Sequence, residues 1–265
     1  YYSAPIPTIS YYIHNQLSEQ IKREGYSVVI SGTGADEIFT GYYDHYLFWL
    51  YEMRLDSDFN QLVDEMREGY GSYINNPLLK DPIKIINNPS FRDHLYQSSD
   101  VFKKIVLKKM DFSFNEKSYC KDILRNRMLN ELSEEVVPVI LFSDDLNSMM
   151  YSIENRSPFL DKDLVEFLFS IETNFLIRDG FQKFLLRNCS KKLLPKKITK
   201  SKEKVGFNAS INSLIDLTKK KNIDWLLSDS EIFEIVRKDK VENLLKSDFS
   251  KNDYSKFLFA FISSK

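Results

Sequence analysis

Ile9, Tyr12, Ile13, Leu17 and Ile21 recur at helical spacing and stop at Gly25, a pattern that predicts an amphipathic helix. Thr8 stands in front of them as an N-cap candidate, behind an extended approach punctuated by Pro5 and Pro7. The pattern then changes. Tyr26 to Ser31 is a short apolar run rich in β-branched residues, closed by Gly32-Thr33-Gly34, and it reads as a buried strand of a parallel sheet. Helix, strand and turn make one αβ unit. From Tyr43 onward, 3.6-residue periodicity dominates and strand signals fade. Asn75-Asn76-Pro77, Asp81-Pro82 and Asn87-Asn88-Pro89 mark loops in an irregular stretch. Asp161 to Ile171 and Ile232 to Leu245 read as helix. The expected fold is a helix-rich α/β structure with its sheet character near the front.

Composition narrows the function classes. A chain of 265 residues can bury a sizeable core. Its 37 basic and 38 acidic residues leave a net charge of −1, so the molecule as a whole has no electrostatic pull toward nucleic acid or a membrane surface. Cys120 and Cys189 form no Cys-x-x-Cys pair and the three histidines show no ligand spacing, which argues against a disulfide framework or a zinc site. No apolar run approaches spanning length and no signal peptide opens the chain, so the expected compartment is the cytoplasm. The 20 Phe and 15 Tyr are expected in the core and half-buried surface of a helical fold.

The chemistry concentrates after the strand. Ligands of open α/β sheets sit beyond the carboxyl ends of the strands, where Ser31-Gly32-Thr33-Gly34-Ala35-Asp36-Glu37 falls. The two glycines let backbone N–H groups turn outward toward an anion, and Asp36 at the rim suits a hard cation held against phosphates. The run is no P-loop, because Gly-Lys-Ser/Thr is missing, and Glu37 stands where the dinucleotide fingerprint needs its third glycine. An ordinary strand-to-helix turn remains the alternative on these residues alone.

Three ordered segments point further. They are Val28 to Tyr42, then Asn147 to Asp161 with its Glu154-Asn155-Arg156-Ser157-Pro158-Phe159-Leu160-Asp161, then Lys183-Phe184-Leu185-Leu186-Arg187 followed by Leu194-Pro195 and Lys202-Glu203-Lys204-Val205-Gly206-Phe207. Together they resemble the glutamine-dependent asparagine synthetases over roughly residues 5 to 210, leaving 211–265 as a poorly matched helical tail. The resemblance implies the C-terminal part of a pyrophosphate-loop ATPase domain of the adenine nucleotide α-hydrolase type. Upstream strands, the Ser-Gly-Gly-x-Asp-Ser loop and a glutaminase domain with its terminal cysteine are then expected outside this chain, and residues 1–265 alone are expected to be inactive.

The resemblance further implies ATP-dependent amide formation through an acyl-adenylate, with ATP and Mg²⁺ as cofactors. The substrates it implies are a small carboxylate, aspartate first, and ammonia from glutamine; it also allows a homodimer of the full-length protein. It assigns Ser31, Gly32, Gly34 and Lys183 to the nucleotide, Asp36 to the metal, and Lys204 to the reacting centre. Asp145 falls where the family carries an acidic residue and would orient the amine or a water. Glu37, Glu154, Arg156 and Asp161 would form a buried ionic scaffold.

Two departures bear on substrate. Thr33 stands where asparagine synthetases usually carry Glu and β-lactam synthetases Tyr; the position faces the reacting amine, and threonine cannot serve as a general base. Lys202 replaces a frequent Arg and loses its bidentate fork. This leaves open an enzyme of the same kind acting on another carboxylate, such as a sugar acid or a peptide side chain, or a non-catalytic helical module. The run from Arg178 to Lys204 holds ten basic and two acidic residues. Lys191, Lys192, Lys196 and Lys197 read as a solvated face, whereas Lys183 and Lys204 fit a polyphosphate better than a nucleic-acid patch does.

Overall fold

The structure, a computed structural model, describes residues 4–6, 8–96, 102–108, 115–204, 209–246 and 252–265. Helix α1 spans Ile9–Arg23, and Gly25 follows in the left-handed region at φ 85°. Thr8 precedes α1 in extended geometry without a side-chain capping bond; Pro7 lies outside the described residues. Strand β1 (Val28–Ile30) pairs in parallel with β2 (Glu154–Arg156), in the register Val28 to Glu154 and Ile30 to Arg156.

Two expectations change here. Val28 and Ile30 are exposed, so β1 is not a buried strand; the helix at Val137–Met149 packs against β2 and against α1. β2 was hidden in a polar stretch, because pairing rather than apolar pattern makes it a strand. Glu154 and Arg156 form an exposed ion pair at 2.8 Å with about three-fifths of each side chain in solvent, and Asp161 is a helix cap. Of the expected buried scaffold, only Glu37 is buried.

Helices α2 (Ala35–Ile38) and α3 (Tyr43–Glu52) follow the turn, then α4 (Phe59–Tyr70) and α5 (Ile83–Asn87). α3 is buried from Asp44 to Leu50, as expected of a helix surrounded by others. Tyr46 to Leu50 pack with Val63, Met66, Tyr70, Leu124, Met128, Leu176 and Ile177. Helix α6 (Ile123–Asn130), capped by Asp122, runs into a π-helical turn at Glu131–Glu135 before α7 (Val137–Met149).

Most polar groups buried in this core are paired, although Tyr46 Oη and the Nδ1 atoms of His45 and His94 have no hydrogen-bond partner among the described residues. Arg127 bonds Glu131 at 2.9 Å, Glu116 at 2.8 Å and Glu135 at 2.7 Å; His45 Nε2 meets Glu131 at 2.6 Å, and His94 Nε2 meets Asp44 at 3.1 Å.

Helix α8 (Lys162–Ser170) begins at Asp161, whose carboxylate accepts from the Leu164 amide, close to the predicted helix. Ile38, Phe39 and Leu168, with Phe159, Leu164 and Leu186, form a small core beneath the turn. Short helices α9 (Phe184–Ser190) and α10 (Lys196–Thr199) carry the basic run. Beyond them lie α11 (Lys220–Leu227), α12 (Lys238–Leu245) and α13 (Asn252–Ser264).

The expected single helix over Ile232–Leu245 is divided. A 3₁₀ turn at Glu231–Glu234 ends where the Leu107 amide donates to the Ile235 carbonyl and the Arg237 amide to that of Ile105, pulling the chain into a bridge. The C-terminal helices are no loose tail: Leu226, Val241, Leu244, Leu258 and Phe261 share a core with Ile9 and Ile105. No helix among the described residues is long and apolar enough to cross a membrane.

Candidate functional site

Parallel pairing brings two serines together. The Ser31 amide donates to the Arg156 carbonyl at 2.8 Å, extending the ladder by one bond, and the Ser31 and Ser157 hydroxyls lie 3.0 Å apart at the carboxyl ends of the two strands. The turn that follows is set by Gly34, at φ 91°; a Cβ there would lie 2.3 Å from Leu160 Cδ2. Gly34 is therefore required by conformation and by space. A Cβ at Gly32 would meet nothing within 4 Å, so packing within this chain makes no such demand at that position.

The first turn of α2 sends its two carboxylates in opposite directions. Glu37 turns inward and accepts from the Tyr42 hydroxyl at 2.5 Å. Burial raises its pKa, against the opposing effect of that hydrogen bond. Burial also raises the Tyr42 phenol, reinforced by the neighbouring Glu37 charge. Asp36 points into a cavity of about 260 Å³ shared with Gly41, Tyr70, Gln182 and four basic residues of the Arg178–Lys204 run.

Lys183 and Lys204 converge on Asp36 from that run. Lys183 Nζ pairs with Asp36 Oδ1, and Lys204 Nζ lies 3.0 Å from Oδ2. Burial alone would raise the Asp36 pKa, but the two ammonium groups outweigh it and hold the carboxyl below its ordinary value. Lys204 is also 3.2 Å from the Gly41 carbonyl and 4.1 Å from the Tyr42 ring centre, a cation–π position.

Local backbone geometry aims Lys183. It adopts φ 54° at the start of α9, and its amide reaches Thr40 Oγ1 at 3.4 Å. Gln182 donates from its side chain to the Tyr42 carbonyl, tying the two loops together. Arg187, a line of whose donors reaches the Gln182, Ile198 and Thr199 carbonyls, braces the same region. Lys191, Lys192, Lys196 and Lys197 are exposed, as a solvated face requires. Val205-Gly206-Phe207 lies outside the described residues.

A second group gathers on Thr33. Its hydroxyl accepts from Ser31 at 3.2 Å and donates to Asp144 Oδ2 at 3.3 Å, while Asp144 Oδ1 meets His14 Nδ1 at 2.9 Å. Asp145 is exposed on α7 and is not brought to the turn; its neighbour Asp144 is buried and faces it. Adjacent helical residues point about 100° apart, so an assignment one residue off changes the face entirely. His14, Gln182 and Asp144 carried no motif signal. Two serines, two lysines, Thr33 and Asp36, all singled out by sequence except Ser157, thus form two groups, one around Asp36 and one around Thr33.

Such a site suits an anionic, oxygen-rich ligand. Lys183, Lys204, Arg187 and Lys202 line a cavity whose acidic residues are Asp36 and Glu203. The model of the asparagine synthase family matches residues 3–262. "Asparagine synthetase [glutamine-hydrolyzing] 1" of Bacillus subtilis (strain 168) is 22% identical over 258 residues, covering 88% of this chain. The chain spans 39% of the length of that curated relative.

Proposed function

This chain belongs to the asparagine synthase family, and on that premise we propose that the protein carrying it joins an amine to a carboxylate at the expense of ATP. The carboxylate attacks the α-phosphate, an acyl-adenylate and pyrophosphate form, and the amine then displaces AMP. Aspartate and glutamine-derived ammonia are the leading substrates. The observation that carries this reading is the Asp36 carboxylate held between Lys183 and Lys204 inside a cation-rich cavity.

In this reading, the ammonium of Lys183 holds ATP phosphates in the ground state. Lys204 follows negative charge as it moves from phosphate toward the acyl oxygen, a task suited to a point charge on a flexible stem. Ser31 and the Gly32–Gly34 turn offer backbone and hydroxyl groups to the nucleotide. A single carboxylate combined with substrate phosphates is a usual donor set for Mg²⁺, and Asp36 is part-exposed at the cavity wall, so the residues fit that ion. Bound there, Mg²⁺ would neutralise charge on the phosphates.

Thr33 favours a second reading, in which the same chemistry serves a different carboxylate or amine, because the side chain at that position differs from the family's usual Glu. Isotope exchange between pyrophosphate and ATP tests the first half-reaction directly. The full-length protein with MgATP should catalyse carboxylate-dependent exchange, with aspartate as the first carboxylate tried and sugar acids next. Lack of exchange with every carboxylate would sink the proposal, while exchange with a sugar acid alone would select the second reading.

A further inference from the structure

Thr33 creates a chemical deficit that the fold answers. An attacking amine must lose a proton as its nitrogen bonds to the acyl carbon, and a threonine hydroxyl cannot keep that proton at neutral pH. The carboxylate of Asp144 stands directly behind that hydroxyl. Thr33 Oγ1 donates to Asp144 Oδ2 at 3.3 Å, Asp144 is only 6% exposed, and its other oxygen is held by His14 at 2.9 Å. The hydroxyls are aligned in one direction, since Ser31 donates to Thr33 and Thr33 to Asp144. A short side chain at position 33 is what leaves the carboxylate of α7 within one hydrogen bond of the turn.

We infer that Asp144 is the proton acceptor for the amine, acting through the Thr33 hydroxyl, with His14 fixing its orientation. The inference rests on the amide-forming function proposed above. In the step, the amine nitrogen bonds to the acyl carbon and passes a proton to Thr33 Oγ1 as the Thr33 proton moves to Asp144 Oδ2. The bond from acyl carbon to the phosphate oxygen breaks, and its electron pair leaves with AMP. The proton acceptor thus stands on α7, one hydroxyl removed from the turn. His14 ties Asp144 to α1, with about a third of the His14 side chain exposed.

The test separates the two half-reactions in the full-length protein, with aspartate and ammonium chloride as probes. Asp144→Asn should lower amide formation about a hundredfold or more, the usual scale for loss of an acid–base group, while changing aspartate-dependent pyrophosphate exchange far less. Thr33→Val should produce the same selective loss, and the double variant should lose no more than either single one. Adding T33E to D144N should restore amide formation by returning a carboxylate to the turn. Should D144N fail to fold, T33V alone decides the matter. Amide formation at the wild-type rate in T33V, or parallel loss of exchange and amide formation in a folded D144N, would overturn the inference while leaving the proposed function standing. Absence of carboxylate-dependent exchange in the wild type would overturn both.

Discussion

Asp36 occupies the space that a side chain at Gly41 would need: a Cβ on Gly41 would lie 2.0 Å from Asp36 Oδ1 and 2.6 Å from Asp36 Cα. The Gly41 amide also donates to the Asp36 carbonyl at 2.7 Å, and the Gly41 carbonyl accepts from Lys204. One small residue therefore lets the carboxylate, its backbone and a lysine approach together. Gly41→Ala should displace Asp36 from both lysines and weaken MgATP binding, because the nearest obstacle includes backbone that cannot swing away. Equilibrium ATP binding measures the effect, and an unchanged affinity would show that the position of Asp36 does not matter to the nucleotide.

Arg127 holds together a buried ionic network. Its guanidinium is 2% exposed and is shared by Glu116, Glu131 and Glu135. Removing it leaves the buried Glu131 with His45 alone and takes a cation from the part-buried Glu135; breaking a buried ion pair from one side typically costs about 3–5 kcal/mol. Arg127→Ala should lower the denaturant midpoint accordingly, and Arg127→Lys should recover little, since an ammonium lacks the planar fork that serves several carboxylates at once. Full recovery by lysine would mean that charge alone, not fork geometry, holds the network.

Residue pattern encodes what a helix or strand decides locally, and packing decides the rest. The turn, Asp36, Lys183 and Lys204 were visible because their residue types and order form a motif, and the fold does bring those three side chains into one cavity. Asp144 was not distinguishable from Asp145, because which of two neighbours faces inward is fixed by how α7 packs on α1. His14 lies on that same interface and has no sequence partner nearby. β2 was invisible for another reason: Glu154 and Arg156 point to solvent, and only the backbone ladder to β1 makes the segment a strand.

His45 links the buried network to pH. Burial works to lower its pKa, but the Glu131 carboxylate at 2.6 Å, with Asp44 beside it, outweighs burial and the Arg127 charge and raises it above the ordinary value of 6.5. A folded-state value above the unfolded one gives stability that is fully present below about pH 6.5. That stability is lost as pH rises through the folded-state value. His45→Gln should flatten this alkaline decline in a series of thermal melts taken from about pH 6 upward. Parallel curves for the two proteins would assign the decline to other groups.

Lys183, Lys204 and Lys196 belong to one basic stretch, yet the structure gives them different surroundings. Lys183 and Lys204 share Asp36, with Lys204 also against the Gly41 carbonyl and the Tyr42 ring, whereas Lys196 is exposed at the start of α10. Loss of a preorganised donor at the reacting centre typically removes about 2.7–4 kcal/mol of transition-state stabilisation, on the order of a hundred- to a thousandfold in rate. Lys204→Ala in the full-length protein should therefore lower kcat strongly, with a smaller change in KM for ATP. Lys183→Ala should chiefly raise KM for ATP, because its contact is made with phosphates already present in the ground state. Lys196→Ala should alter neither constant. Each truncation also frees one oxygen of Asp36, so Lys183→Gln and Lys204→Gln, which keep bulk and a hydrogen-bond donor, separate loss of charge from local collapse. Equal, modest losses at all three positions would show a diffuse basic surface at work, and the division of labour between Lys183 and Lys204 would fall.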